Sequence, residues 1–556
     1  MIGTKWLLAS PLVWLACGDE QAGSPVTQGG ATSAGGAASA GATAGGVSSA
    51  TLGGSSGSAN GGAATGGTYV ATGGFSAATG GVTTTGGVTT TGGVTTTGGA
   101  STAGSSSGGS SGIASGGSPA AGRGGASNSA GSGGSSSAAG GASPQGGASG
   151  GSSAAGGVAS GGASNALCDI VKNGAKGDGS TLNTKAIQTT IDQCASSGGG
   201  TLVVPKGTFV SGALFLKAGV NIQLAEGAVL SGSKNMDDFP LVPTRFEGHF
   251  ATWRAALLNG EKVDHLRITG PGTLDGNGAS FWSVSAPQGR PRLCFVRDSA
   301  DVVVSGVKFK NSASWNLHLY NCQHVVVEDS RFEIDAGASG PSTDGTDIDS
   351  CQDVTVRGCY YSVNDDCVVL KGNRYDGLNQ TPASPPVSNV HVTNCTFVRG
   401  KGALSIGTEA TYVHDVEFDN STVEGDFPTL RLKMRPDTAG QRYENINVHD
   451  IKINGVDDIV GWELTHGTAI TGTPPKASIR NVTMAGFTGK TAAFGNIAAN
   501  ATTEVSTITF KNFNVTLTTP TLTATGVTGL TMDNVVINGK LWSATAANGQ
   551  PGPVNP

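Results

Sequence analysis

The chain has 556 residues, 91 of them glycine, and a formal net charge of −6. Of the glycines, 48 fall within residues 18–166, a stretch whose only charged residues are Asp19, Glu20 and Arg123. Such a Gly/Ser/Ala/Thr segment has too little apolar surface to offset its chain entropy, which excludes a single 556-residue globule. The remainder, 167–556, keeps 31 Lys and Arg against 37 Asp and Glu with no basic run. That balance argues against a nucleic-acid partner.

In chain order, residues 1–17 read MIGTKWLLASPLVWLAC. Lys5 supplies a positive start, and Trp6 to Ala16 form an apolar run too short to span a bilayer. An apolar run closing on Leu15-Ala16-Cys17 resembles a bacterial lipoprotein signal, in which Cys17 would be lipidated, although Trp14 stands where leucine is usual. The other reading is an ordinary signal peptide. Both imply export, to the cell surface on a lipid anchor or as a secreted protein. Residues 18–166 then form a disordered tether reaching roughly 65 Å, with GGVTTT repeated three times over Gly80–Thr97. The nine cysteines include no CxxC pair, so a zinc ribbon is not expected. Cys168 and Cys194 could pair as a disulfide; the others, near strand ends, are expected to be buried thiols.

Residues 167–556 form one repeating domain. Asn183 to Ala195 carries the helix pattern, with Ile187, Ile191 and Cys194 on one face and Ser-Ser-Gly-Gly-Gly after it. A short helix there suits a cap over the open end of a stack. A polar residue followed by β-branched or aromatic residues at period two then recurs. It appears from Val220, His265, Asp301, His324, Asp353, Asn389, Asp415 and Asn445, and more weakly from Ser506 and Leu530. Val302, Val325, Val354, Val390 and Val416 step by 23, 29, 36 and 26 residues. Period-two strands at this spacing without helices between them predict an all-β solenoid of parallel strands, with the longer steps as loops on one face. About ten rungs give a rod near 48 Å, whose groove suits an extended polymer.

Carboxylates cluster in Ser342-Thr343-Asp344-Gly345-Thr346-Asp347-Ile348-Asp349 and again in Asn364-Asp365-Asp366-Cys367. About one rung separates Asp344 from Asp365, so they can lie on neighbouring coils. Asp365 and Asp366 can share a face only at a bend, because adjacent strand residues alternate. Close carboxylates split their pKa values, as acid/base glycoside hydrolysis requires. The isolated Asp349 is read as a turn cap. In Leu430-Arg431-Leu432-Lys433, alternation puts Arg431 and Lys433 on one face. There they would hold an anionic substrate or, on a rival reading, pair structurally with the aspartates.

These stretches resemble family 28 of the glycoside hydrolases, the polygalacturonases and rhamnogalacturonases, over residues 168 to about 456. NGAKGDGSTLNTKAIQTTIDQCASSGGGTLVVPKGTF is similar to the family's N-terminal region, and TDGTDIDSC to its NTDG-D motif. NDDCVVLKG resembles its DD motif, GKGALSIGTE its GHG motif and RLK its RIK motif. The resemblance implies a right-handed parallel β-helix and an enzyme that hydrolyses α-linked galacturonides of pectic polysaccharide with inversion. Carried over, Asp365 would be the general acid, and Asp344 and Asp366 would activate water. Arg431 and Lys433 would hold substrate carboxylates. No metal and no cofactor are implied, and a monomer is expected.

Two positions depart from the family pattern. Ser342 replaces the usual asparagine. Lys401 stands where GHG has its histidine; it would pair with Asp365 or Asp344 and weaken the acid. It is grouped with the substrate-binding residues, as is His318, in a stretch resembling the family's SPFWTLH, which would either line the groove or be a buried structural histidine. Trp462 and Glu463 would extend the substrate surface. The alternatives are a rhamnogalacturonan hydrolase, a catalytically impaired carbohydrate-binding surface protein, and a calcium-dependent pectate lyase with Asp344, Asp347, Asp365 and Asp366 on the ion.

Overall fold

In a computed structural model, which describes residues 166–284, 289–373, 384–466 and 475–554, parallel strands stack into three ladders and each typical coil supplies one strand to each. The expected export signal, Cys17 and the glycine-rich tether up to residue 165 lie outside the described residues. Among the described residues, no helix is long and apolar enough to cross a membrane. A typical coil runs through Cys294–Arg297, Val303–Ser305 and Lys308–Lys310; the next opens with Leu317–Tyr320, paired in parallel with Cys294–Arg297. This is the parallel β-helix the repeats predict.

All ten repeats fall on one ladder, which also takes in Leu167–Asp169, Gly200–Val204 and Ala477–Ala485. The polar residue opening a repeat turns the corner. Asp301, Asp353, Asn389, Asp415 and Asn445 have φ of 53 to 57°, a region Asn and Asp tolerate better than bulkier residues. Their side chains stack into a ladder of their own. Asn445 Nδ2 donates to Asp415 Oδ1 at 2.9 Å, and Asn481 Nδ2 to Asn445 Oδ1 at 3.0 Å. Inside, register puts Val304, Val327, Val356, Val392 and Phe418 in one buried row. On the second ladder, Phe309, Phe332, Tyr361 and Phe397 stack at centroid distances of 4.8, 4.9 and 5.2 Å, about the spacing of the strands themselves.

The helix spans Thr184–Ser196 and buries Ile187, Thr190, Ile191 and Cys194 against the first coils. Cys194 is joined to Cys168, and the six other cysteines among the described residues are free and buried. Gly199 follows at φ 89°; a Cβ there would lie 2.4 Å from the Gly219 carbonyl oxygen, so the chain passes only because it is glycine.

The third ladder carries the site. The strands around the site are β1 (Cys294–Arg297), β2 (Leu317–Tyr320), β3 (Thr346–Asp349), β4 (Val368–Lys371), β5 (Leu404–Ile406), β6 (Leu430–Lys433) and the end of β7 (Lys452–Glu463). The longer repeat steps border this ladder: residues 334–345 precede β3, and the other insertion follows β4, partly outside the described residues. One element was not anticipated. An antiparallel hairpin, Leu241–Phe246 with His249–Arg254, turns at Glu247 (φ 43°) and Gly248 (φ 75°). Phe246 stacks on Trp253 at 4.1 Å and on Trp315 at 4.5 Å, which fastens the hairpin beside the start of β2.

Candidate active site

Alternation on β2 to β6 turns one set of side chains into the core and the other toward a cleft. Leu319, Ile348, Leu370, Ile406 and Leu432 point in; His318, Asp347, Lys371, Ser405, Arg431 and Lys433 belong to the opposite set. The bends entering β3 and β4 bring up the remaining acids. Asp344 precedes Gly345, where a Cβ would sit 2.4 Å from the Cys367 carbonyl oxygen and 2.6 Å from the Tyr361 ring. Glycine therefore lets the Asp344 bend press against the Asp365-Asp366 bend of the next coil. Asn316 fixes it from below, its amide donating to the Asp344 carbonyl at 2.9 Å.

Oxygens of Asp344, Asp365 and Asp366 all lie within 4.8 Å of one another, so the expected trio does converge. Their surroundings differ. Asp366 accepts hydrogen bonds from Lys433 Nζ at 2.6 Å, Ser405 Oγ at 2.7 Å and Arg431 Nη1 at 3.3 Å. Burial alone would raise its pKa, but Lys433, Arg431 and Lys371 hold it well below the usual carboxylate range. Asp344 goes the other way: burial pushes it up to about 7, against the pull of Lys371 and with the help of Asp365 and Asp366. Asp365 lies 3.4 Å from Lys401 Nζ. Its side chain is 18% exposed, against 4% for Asp344 and 1% for Asp366.

Arg431 and Lys433 are thus paired to Asp366, the rival arrangement of the sequence reading, and Arg431 also meets Glu463 at 2.6 Å. Three expectations need correcting. His318 is fully buried and does not reach the cleft: its Nδ1 accepts from Arg292 at 2.6 Å, and its Nε2 faces Asp349 Oδ2 at 3.4 Å. Burial pushes the imidazole down to about 3, so it is neutral. Trp462 is in register with the inward Leu432 and belongs to the core, leaving Glu463 alone at the surface. Asp349 is no turn cap but a buried partner of Arg245 at 3.0 Å.

That pair makes a stability prediction. Burial raises the Asp349 carboxyl, but Arg245 and His318 bring it down to about 2 from the ordinary 3.8. Its folded pKa is depressed, so its contribution is full above about pH 4 and is lost as pH falls through about 2; the amount is roughly 2 kcal/mol. Urea unfolding at pH 5 and pH 2.5 should show this loss in the wild type. Asp349→Asn should lose the pH-dependent part and be less stable by about 3–5 kcal/mol at pH 5, because Arg245 stays buried and unpaired.

Sequence reasoning missed Lys371, Glu409 and Glu247. Lys371 Nζ stands 3.4 Å from Asp344, 3.6 Å from Asp347 and 3.9 Å from Glu409, with the Trp315 ring at 4.5 Å. Its signal was present: it is two residues past Val369 and in register with Asp349, so it had to face the acids. Glu409 is buried between Lys371 and Arg435, and burial, which would raise it, loses to those cations, which bring it down to about 2. Asp347 is fully buried, and burial together with Asp344 holds its pKa far above the usual range. The cleft is lined by Asp344, Asp365, Asp366, Lys371, Lys401, Glu409 and Lys433 together with Glu247, Trp315, Ser342, Thr408 and His466.

Comparison with known proteins places this geometry in context. The model of Glycosyl hydrolases family 28 matches residues 194–537. A probable polygalacturonase of Vitis vinifera is 33% identical over 215 residues, 36% of this chain but only 43% of that relative. An exopolygalacturonase of Zea mays is 27% identical over 372 residues, covering 62% of this chain and 83% of the relative. Among solved structures, an exopolygalacturonase from Thermotoga maritima superposes with a TM-score of 0.58 at 23% identity, over 68% of this chain and 93% of its own, a likeness of fold.

Proposed function

The chain belongs to family 28 of the glycosyl hydrolases, and from that premise we propose that it hydrolyses α-linked galacturonide bonds in pectic polysaccharide. The observation that carries this reading is the trio Asp344, Asp365 and Asp366, oxygens within 4.8 Å, set among Lys371, Lys401, Arg431 and Lys433 in one open cleft. The acids supply proton transfer, and the cations suit a polymer of uronates.

Asp365 is assigned as general acid because it alone of the three is partly exposed where a glycosidic oxygen can reach it. It gives its proton to the leaving oxygen as the C1–O bond breaks. Water forms the new bond at C1 and passes a proton to Asp366 or, once the cluster's proton has moved to Asp365, to Asp344. Oxygens this close can grip a single water between them, since one hydrogen bond spans about 2.7 Å on each side. The spacing is shorter than the roughly 6.5–9.5 Å usual for an inverting pair; a water held directly between two carboxylates needs no wider gap. In the unliganded cluster the proton resides on Asp344 below about pH 7, and in a coupled trio it belongs to the group as a whole. Activity should therefore fall as pH rises through about 7, where the cluster loses the proton that the acid delivers.

A calcium-dependent lyase is disfavoured by the donor set. Lys433 Nζ sits 2.6 Å from Asp366 Oδ2 and Lys371 Nζ 3.4 Å from Asp344 Oδ2, so ammonium groups already occupy the places a divalent ion would take. Digestion of homogalacturonan and rhamnogalacturonan by the full chain, with and without chelator, tests the reading. Products with saturated non-reducing ends, released insensitively to chelator, are expected; chelator-sensitive products with unsaturated non-reducing ends would sink it. The choice between the two polymers turns on Lys401, which faces Asp365 where the family pattern has histidine. Lys401→His, which puts the residue of the family pattern beside Asp365, should raise kcat on homogalacturonan; no gain would remove Lys401 as a cause of weakness. Export, Cys17 lipidation and action as a monomer form part of the same proposal, and incorporation of labelled palmitate into wild type but not Cys17→Ser tests the anchor.

A further inference from the structure

The first ladder carries a second constellation of polar groups. Its members stand on three successive strands, Val387–Thr393, Tyr412–Asp419 and Arg442–His449, away from the third ladder that holds the acids. Period two turns Glu417 and Asp419 to the same outer face. Register then sets His391 beside Glu417 and His449 beside Asp419, so the four residues occupy the corners of a small patch crossing three coils.

Three of them converge on one point, and His449 meets that set from the Glu417 and Asp419 side. His391 Nε2 lies 3.0 Å from Asp419 Oδ2. His449 Nε2 lies 3.1 Å from Glu417 Oε1 and 3.7 Å from Asp419 Oδ2. Ligand atoms of His391, Glu417 and Asp419 fall within 4.8 Å of one another. A tetrahedral zinc ion with bonds of about 2.0–2.1 Å has ligand-to-ligand edges of about 3.3 Å, and the three measured distances straddle that value.

The outer contacts orient the ligands as such a site needs. His449 Nδ1 is 2.8 Å from Asp450 Oδ2, so a proton held there leaves the Nε2 lone pair facing the patch. Asp419 Oδ1 accepts from Thr393 Oγ1 and from Asn420 Nδ2, which leaves Oδ2 turned to both histidines. Asp419 is nearly buried while His391 and Glu417 are 40% and 47% exposed, so an ion can enter from solvent onto an anchored carboxylate.

We propose that His391, Glu417 and Asp419 form a zinc-binding site that His449 completes by turning its Nε2 from Glu417 onto the ion, so that three adjacent coils are clipped together. Two imidazoles with two carboxylates suit a borderline ion, whereas calcium and magnesium require more oxygen donors. None of the four lines the cleft, so the ion's role is to stabilise the coils and not to take part in hydrolysis.

The full chain, stripped with chelator and dialysed, is titrated with zinc by calorimetry alongside His391→Ala, Asp419→Asn and Asp450→Asn. The wild type should bind one zinc ion that His391→Ala and Asp419→Asn lose or bind at least tenfold more weakly. Asp450→Asn should weaken binding about tenfold through the orientation of His449. Zinc should raise the Tm of the wild type and not that of His391→Ala, and calcium at the same concentration should raise neither. His391→Ala is an exposed substitution, and its near-UV circular dichroism checks that it folds. Equal zinc affinity in wild type and His391→Ala, or a calcium affinity above that for zinc, would overturn the proposal.

Discussion

Asp365→Asn is expected to lower kcat on homogalacturonan by about 10²–10⁴-fold, the usual contribution of a general acid, with little change in KM. The substitution keeps the shape of the side chain and its place at the rim of the cleft, 3.4 Å from Lys401, while removing the transferable proton. Stability should hardly change, because the Lys401–Asp365 pair is partly solvated and such pairs contribute about 0–1 kcal/mol. Equal reducing-end release by wild type and variant would refute the assignment of the acid.

Lys371→Met is expected to destabilise the fold strongly, in a way that depends on pH. One buried ammonium serves Asp344, Asp347 and Glu409, and removing one partner of a buried ion pair costs about 3–5 kcal/mol. Glu409 is held down to about 2 and stays charged, so the uncompensated charge falls first on Glu409 and, above about pH 7, on Asp344. The destabilisation should therefore grow as pH rises. A second readout separates electrostatics from packing. Lys371 is the chief group holding the Asp344 pKa down, so its loss raises that pKa and moves the alkaline limb of kcat/KM to higher pH. Urea midpoints at pH 5 and pH 8 and the pH–rate profile check both; an unchanged limb would mean that Asp344 does not carry the cluster's proton.

The architecture was legible because the fold repeats its own rule. Polar residues such as Asp353 and Asn389 open each repeat since the corner demands positive φ, and the valines behind them alternate into the core. The bend at Asp365-Asp366 and the alternation of Arg431 and Lys433 followed from the same geometry. What the sequence could not tell was which partner each charge would choose. Arg431 and Lys433 found Asp366 across two coils, and Arg245, 104 residues before Asp349, reached it from a hairpin that interrupts the repeat. His318 alternates to the cleft side of its strand, yet Arg292 and the hairpin cover it. Local pattern fixes the face a side chain takes, and insertions decide whether that face stays open.

On the reading proposed above, the carboxylate trio directs water onto an α-linked galacturonide in one displacement. Proton NMR of the first sugar ends released from polygalacturonic acid tests it before mutarotation scrambles the anomers. Inverting hydrolysis gives reducing ends that appear first as the β anomer, with saturated non-reducing ends. Ends appearing first as the α anomer, or unsaturated ends, would contradict it.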